Sequence, residues 1–176
     1  MKPIIISGGP GAGKTSIIGE LKNQGYRVFN ESSRTLIEQQ SAIKGGVLPW
    51  TDLAAFAHLC IELMQQQKEQ ALRGSMPAFL DRAAPDICAY LKLGKQAIDP
   101  IFENACAGYF PTVFLCRPNK TIYQQDEIRP HSFAEAKQIH QLLIETYQQH
   151  SYHIVDVPWG SIEQRAQFIL AALPSN

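Results

Sequence analysis

The chain lacks a long apolar run. No stretch approaches the roughly 20 residues that cross a bilayer as a helix, and the first apolar segment, Ile4-Ile5-Ile6, is too short to serve as a secretory signal. An excess of charge is missing too. Sixteen Lys and Arg balance sixteen Asp and Glu, which points away from nucleic acid and from a charged membrane surface as partners. The four cysteines, Cys60, Cys88, Cys106 and Cys116, sit in apolar segments without C-x-x-C spacing. That pattern fits buried thiols in a reducing compartment better than metal ligands or a disulfide framework. Internal repeats and low-complexity tracts are absent. Together these absences lead us to expect a cytoplasmic protein with no membrane insertion. Its 176 residues fit one α/β domain, 1–176, burying roughly 70% of its unfolded surface.

What the chain does contain is Gly8-Gly9-Pro10-Gly11-Ala12-Gly13-Lys14-Thr15, a complete G-x-x-x-x-G-K-T pattern directly after an apolar strand and before a helical stretch beginning near Ser16. This is a P-loop. Glycines let the backbone wrap an anion that a Cβ would push away, successive N–H groups face inward, and the helix start adds its positive end. Gly8 to Ser16 are therefore the candidate phosphate-binding residues. Lys14 would reach the β- and γ-phosphates of a nucleoside triphosphate, and the Thr15 hydroxyl would hold a magnesium ion.

Five apolar runs read as strands: Pro3 to Ser7, Tyr26 to Phe29, Pro77 to Asp81, Phe110 to Cys116 and Tyr152 to Val157. Helical periodicity fills the intervals, with a long helix from Thr51 to about Arg73, Thr51 as its N-cap and Gly74 as its stop. Pro85 and Asp86 suit the first turn of another helix. Inner faces are expected at Phe133, Ala136, Ile139, Leu143 and Tyr147, and then at Ile162, Ala166, Ile169, Leu170 and Leu173. Strict alternation of strands and helices predicts a three-layer α/β P-loop NTPase fold around a five-stranded parallel sheet.

Ligands in such sheets bind beyond the carboxyl ends of the strands, so residues there are site candidates. Asp81 reads as the acid that fixes magnesium through a water, or else as a helix cap. Arg82 would grip an acceptor or phosphate, or pair with Asp86. Glu31 is the candidate general base for a hydroxyl acceptor, with a salt bridge to Arg34 as the competing reading. Segment 117–131 is rich in charge and proline and stands where nucleotide kinases carry a closing lid. Arg129, with Arg117 second, would neutralise charge on the transferred group; pairing of Arg129 with Asp126 is the alternative. Asn119-Lys120 begins an N-K-x-D guanine motif, but its fourth position is Ile122, which favours ATP. Pro158 opens the loop after the last strand, where adenine commonly rests. Trp50 would stack on a planar substrate or pack against the helix start.

With these residues in place the chain resembles the nucleoside and nucleotide kinase branch of P-loop proteins. More closely, it resembles a predicted-ATPase family that includes the ribosylnicotinamide kinase domain of bacterial NAD regulators. The resemblance rests on Gly8 to Thr15, Glu31 to Arg34, Asp81-Arg82 with Pro85-Asp86 and Tyr90, Tyr123 with Asp126-Glu127 and Arg129, and Val157-Pro158 with Arg165. It implies ATP and Mg2+ as cofactors, and phosphoryl transfer to an unidentified small-molecule hydroxyl or phosphate. One departure stands out: Ala83 follows Asp81-Arg82 where the family pattern has glycine, and its methyl would restrict backbone approach to an acceptor. The same residues also suit an ATPase or nucleotide-dependent switch, and, without chemistry, a module for an anionic lipid or metabolite.

Overall fold

The computed structural model describes residues 1–121, 123 and 132–174. Five strands form one sheet: β1 (Ile4–Ser7), β2 (Arg27–Phe29), β3 (Ala78–Asp81), β4 (Thr112–Cys116) and β5 (His153–Val157). Their spatial order is β2-β3-β1-β4-β5 and every pairing is parallel, with Ile5 opposite both Leu80 and Val113. The expected strands are all present, within a residue or two of the expected bounds.

Around the sheet run α1 (Lys14–Asn23), α2 (Ser32–Ser41), α3 (Leu53–Leu72), α4 (Ala84–Leu93), α5 (Pro100–Ala105), α6 (Phe133–Gln149) and α7 (Ile162–Ala171). Successive side chains of a strand point to opposite faces, and the core divides accordingly. Ile4, Ile6, Phe79 and Phe114 meet Ile17 and Leu21 of α1 and Ala166 and Ile169 of α7 on one face. Ile5, Leu80, Val113 and Leu115 meet Ala89 of α4 and Ile139, Leu143 and Tyr147 of α6 on the other. Three layers result. Ile4, Ile5 and Ile6 are wholly buried, each contributing about 1.5–3 kcal/mol by leaving water, so the loop that follows β1 starts from a fixed point.

A third cluster lies away from the sheet, where α2, α3, α4 and α5 pack through Ile37, Phe56, Met64, Ile87 and Phe102. The short α5 is an addition to the expected elements. Asp99 caps it by accepting from Ile101 N at 2.9 Å, and Pro100 occupies its first position. Two expectations are corrected. The cap of α3 is Asp52, whose carboxylate accepts from Ala55 N at 2.9 Å, while Thr51 closes the preceding turn by donating to Leu48 O at 3.0 Å. Ile162 is 44% exposed rather than inward-facing, because it stands at the mouth of the cleft described next.

Candidate functional site

The glycine loop leaves β1 at the centre of the sheet and returns as α1. Gly8 must be glycine: at φ +140° a Cβ would sit 2.0 Å from the Cys116 carbonyl oxygen. Gly11, at φ +69°, would drive a Cβ to 2.3 Å from the Tyr123 ring. Gly13 is left-handed and caps α1 without a side chain, so the first N–H groups of α1 have no capping side chain. Lys14 folds back over the loop and donates to Gly8 O at 2.9 Å and Gly9 O at 3.2 Å. Burial lowers its pKa, with the Arg82 charge adding to that effect.

Loop and helix start open into a polar cleft of about 700 Å³, walled by Gly11 to Ser16 on one side and by Trp159, Gly160 and Arg165 on the other. Arg165 is 4% exposed, donates to Ala12 O at 3.1 Å and lies under the Trp159 ring at 4.3 Å. Of the expected residues, Gly11 to Ser16 line this cleft. Pro158 precedes its wall, and Arg117 stands apart, 61% exposed and gripping Asp156 through two bonds of 3.1 and 2.5 Å. Arg165 enters the cleft from one turn inside α7, beyond the loop that Pro158 opens.

At the end of β3, Asp81 is 3% exposed and its Oδ2 lies 3.5 Å from the Thr15 hydroxyl. Its Oδ1 is buried without a hydrogen-bond partner. Burial pushes the carboxyl up to about 6, partly offset by the Lys14 charge. An orphaned carboxylate oxygen beside a threonine hydroxyl is a donor set that fits a hard divalent cation such as Mg2+.

Arg82 adopts a left-handed backbone, φ 72°, where a non-glycine residue is uncommon. The turn aims its side chain into the protein, where Nη1 donates to Asp86 Oδ1 at 2.9 Å and Nε stands 3.1 Å from Glu31 Oε1 in a close ion pair. Burial disfavours the guanidinium charge, but Tyr90, Glu31, Asp86 and Asp81 outweigh this and hold its pKa well above the ordinary arginine value. Asp86 is a wholly buried hub that also accepts from Ser7 Oγ at 2.6 Å, Tyr147 OH at 2.5 Å and Ala83 N at 3.1 Å. The two readings of Arg82 thus coexist. The pairing of Glu31 with Arg34 does not form: Arg34 turns outward to Glu38 at 3.4 Å, and Glu31 faces Arg82 instead. Ala83 is 0% exposed and belongs to the same buried cluster as Ile5 and Leu80.

Glu31 and Arg82 also floor a second hollow of about 330 Å³ whose walls are otherwise mostly apolar, drawn from Ile37, Phe56, Ile87 and Leu91, with Pro10 of the loop at one side. Trp50 stands at its rim, 60% exposed. Arg129, with Asp126 and most of segment 117–131, lies outside the described residues.

A parallel sheet of this order, with a glycine loop joining its central strand to α1 and helices on both faces, is a P-loop fold of the nucleotide-kinase type. Residues 3–165 match the AAA_28 family model, described as an AAA domain, and the chain belongs to that family. No protein of curated function matches it in sequence. Among solved structures it is similar to deoxyadenosine kinase from M. mycoides with bound dATP, at TM-score 0.62 and 16% identity over 96% of this chain and 97% of that one. It is similar to the NadR protein in complex with NR at TM-score 0.71 and 15% identity, over 97% of this chain but 50% of that one. Shikimate kinase from Acinetobacter baumannii in complex with shikimate gives TM-score 0.59 and 16% identity, covering 97% and 91%. At such identities the likeness is one of fold.

Proposed function

We propose that the chain is a magnesium-dependent ATP-binding phosphotransferase that passes the γ-phosphoryl group of ATP to a hydroxyl of a small molecule. The observation that carries this reading is Glu31: a carboxylate at the floor of an apolar hollow whose wall includes Pro10 of the phosphate loop, so that acceptor and triphosphate would meet beside it.

ATP would lie in the polar cleft, its phosphates on the N–H groups of Gly11 to Thr15 and its base against Trp159, after Pro158. Lys14 would exchange its two carbonyl contacts for the β- and γ-phosphates, a gain in charge pairing. Thr15 and Asp81 would hold Mg2+, which supplies counter-charge to the transferred group. Binding of the cation would also draw the Asp81 carboxyl to its ionised form. In the second hollow Trp50 and the apolar walls would seat the body of the acceptor. Glu31 would accept the hydroxyl proton as the acceptor oxygen bonds to the γ-phosphorus and the bond to the β-phosphate oxygen breaks, releasing ADP. Arg82, held on both sides by Glu31 and Asp86, would aim the carboxylate and face the acceptor. Arg129, and the segment around it, would neutralise charge at closure.

The test is ADP release from Mg·ATP by the purified protein, alone and with nucleosides, nicotinamide riboside and nucleoside monophosphates. Stimulation by one acceptor is expected. Hydrolysis of equal rate with and without every acceptor would turn the reading towards an ATPase or nucleotide-dependent switch.

A further inference from the structure

Outside the lining of both hollows, three elements bring metal-binding side chains together. Cys88 lies in α4, Cys106 follows α5 and His150 follows α6, and one donor atom from each lies within 4.8 Å of the others. None of them lines the cleft or the apolar hollow. We propose that Cys88, Cys106 and His150 form a structural site for Zn2+ or a similar thiolate-binding divalent cation, with the Glu103 carboxylate closing the fourth position.

The spacing carries the argument. Two sulfurs held at about 2.3 Å from one zinc at tetrahedral angles stand about 3.7 Å apart. Cys88 Sγ and Cys106 Sγ are 3.6 Å apart. Nitrogen and oxygen ligands at about 2.0–2.1 Å stand about 3.3 Å apart in the same geometry. His150 Nε2 and Glu103 Oε2 are 3.4 Å apart. The His150 donor atom, within 4.8 Å of both sulfurs, needs to close by about an ångström, and the Glu103 side chain would turn in beside it.

The surroundings agree. Both thiols are buried, so the sulfur side of the site is dry, whereas the His150 and Glu103 side chains are 15% and 51% exposed and leave a path for an ion to enter. The Cys106 carbonyl is fixed by the Tyr152 hydroxyl at 2.6 Å, and the Cys106 thiol contacts Phe102 O at 3.2 Å and the Cys88 sulfur at 3.6 Å, thiol contacts that coordination would replace. A bound cation would displace the two thiol protons to solvent and join α5 to the sheet-covering layer of α4 and α6. A consequence follows for α4, because it supplies Asp86 to the buried hub and Ile87 and Leu91 to the apolar hollow.

The test is Co2+ and Zn2+ titration of the reduced full-length protein. Expected are one ion per chain, a cobalt spectrum with thiolate charge-transfer absorption and tetrahedral ligand-field bands, and a thermal midpoint that rises with stoichiometric zinc. Cys106→Ala should abolish the absorption, and His150→Ala, at the partly exposed end of α6, should lower the affinity tenfold or more. Glu103→Gln should weaken binding by about 10–100-fold. Cys60→Ala, a buried cysteine outside the cluster, should leave the spectrum unchanged. Absence of the charge-transfer band, affinities unchanged in Cys106→Ala and His150→Ala, or a Cys88–Cys106 disulfide that forms with no ion bound would each overturn the proposal.

Discussion

The two hollows beside the glycine loop are built in opposite ways. The polar cleft is made largely of backbone and of consecutive residues, Gly11 to Ser16, with Arg165 and Trp159 brought across from α7 and its approach. The apolar hollow is assembled from side chains that are far apart in sequence: Pro10, Glu31, Trp50, Phe56, Arg82 and Leu91. A backbone cradle tolerates little variation, since at Gly8 even a methyl group would meet the Cys116 carbonyl. A side-chain hollow can be re-lined while the fold stays the same. On the proposed function, the first region would take a phosphate chain shared by many reactions, and the second would select the molecule that receives the phosphate.

Lys14→Ala gives the sharpest break on the cleft side. Turnover should fall by about 10²–10³, the usual loss for a donor aimed at developing charge, with ATP affinity reduced in equilibrium titration and the far-ultraviolet dichroism unchanged. Asp81→Asn should come next, removing the magnesium dependence of ATP binding while stabilising the ligand-free protein. The sign follows from burial: ionising Asp81 in the fold costs free energy because its carboxyl is pushed up from 3.8 to about 6. That cost is present in full above about pH 6 and fades as the pH falls towards 3.8, where the folded and unfolded protein are protonated alike. Denaturant unfolding at pH 8 should show the variant more stable by up to roughly 3 kcal/mol, with a smaller gain at pH 5.

On the side of the apolar hollow, Trp50→Ala should raise the acceptor KM by about tenfold through lost aromatic contact and leave ATP affinity within twofold. Loss of ATP affinity in this variant would mean that the two regions are not separable. The smallest effect belongs to Arg117→Ala. The Arg117–Asp156 pair is 61% and 44% exposed, so its loss should change stability by less than about 1 kcal/mol. Lying outside the cleft, it should also leave ATP binding unchanged in the same titration.

The contrast also accounts for what the sequence could disclose. A phosphate loop is contiguous, and its strand-loop-helix setting has a fixed order, so Gly8 to Thr15 and the five strands were legible directly. Asp81 could be placed because the end of a buried strand has one location. Pairings across long separations could not: Arg34, three residues from Glu31, turned to Glu38, and Arg82, brought beside the end of β2 by its pairing with β3, took its place. The left-handed turn at Arg82, which directs that side chain inward, has no sequence mark of the kind that glycine would give. Trp50 could be recognised as a large aromatic at a helix start, but only packing shows that it faces a hollow. Short α5 did carry a signal, Asp99-Pro100, too brief to stand out without periodicity.

The most direct measurement is paired: ATP binding at equilibrium and acceptor-dependent ADP formation, for the native protein and for Glu31→Gln. The substitution keeps the size of the side chain and removes its capacity to accept a proton. ATP affinity should stay within about twofold while turnover falls by about 10²–10⁴, the range for loss of a general base. Turnover retained in Glu31→Gln would contradict the assignment of Glu31 as the base and, with it, the apolar hollow as the place where the acceptor is activated.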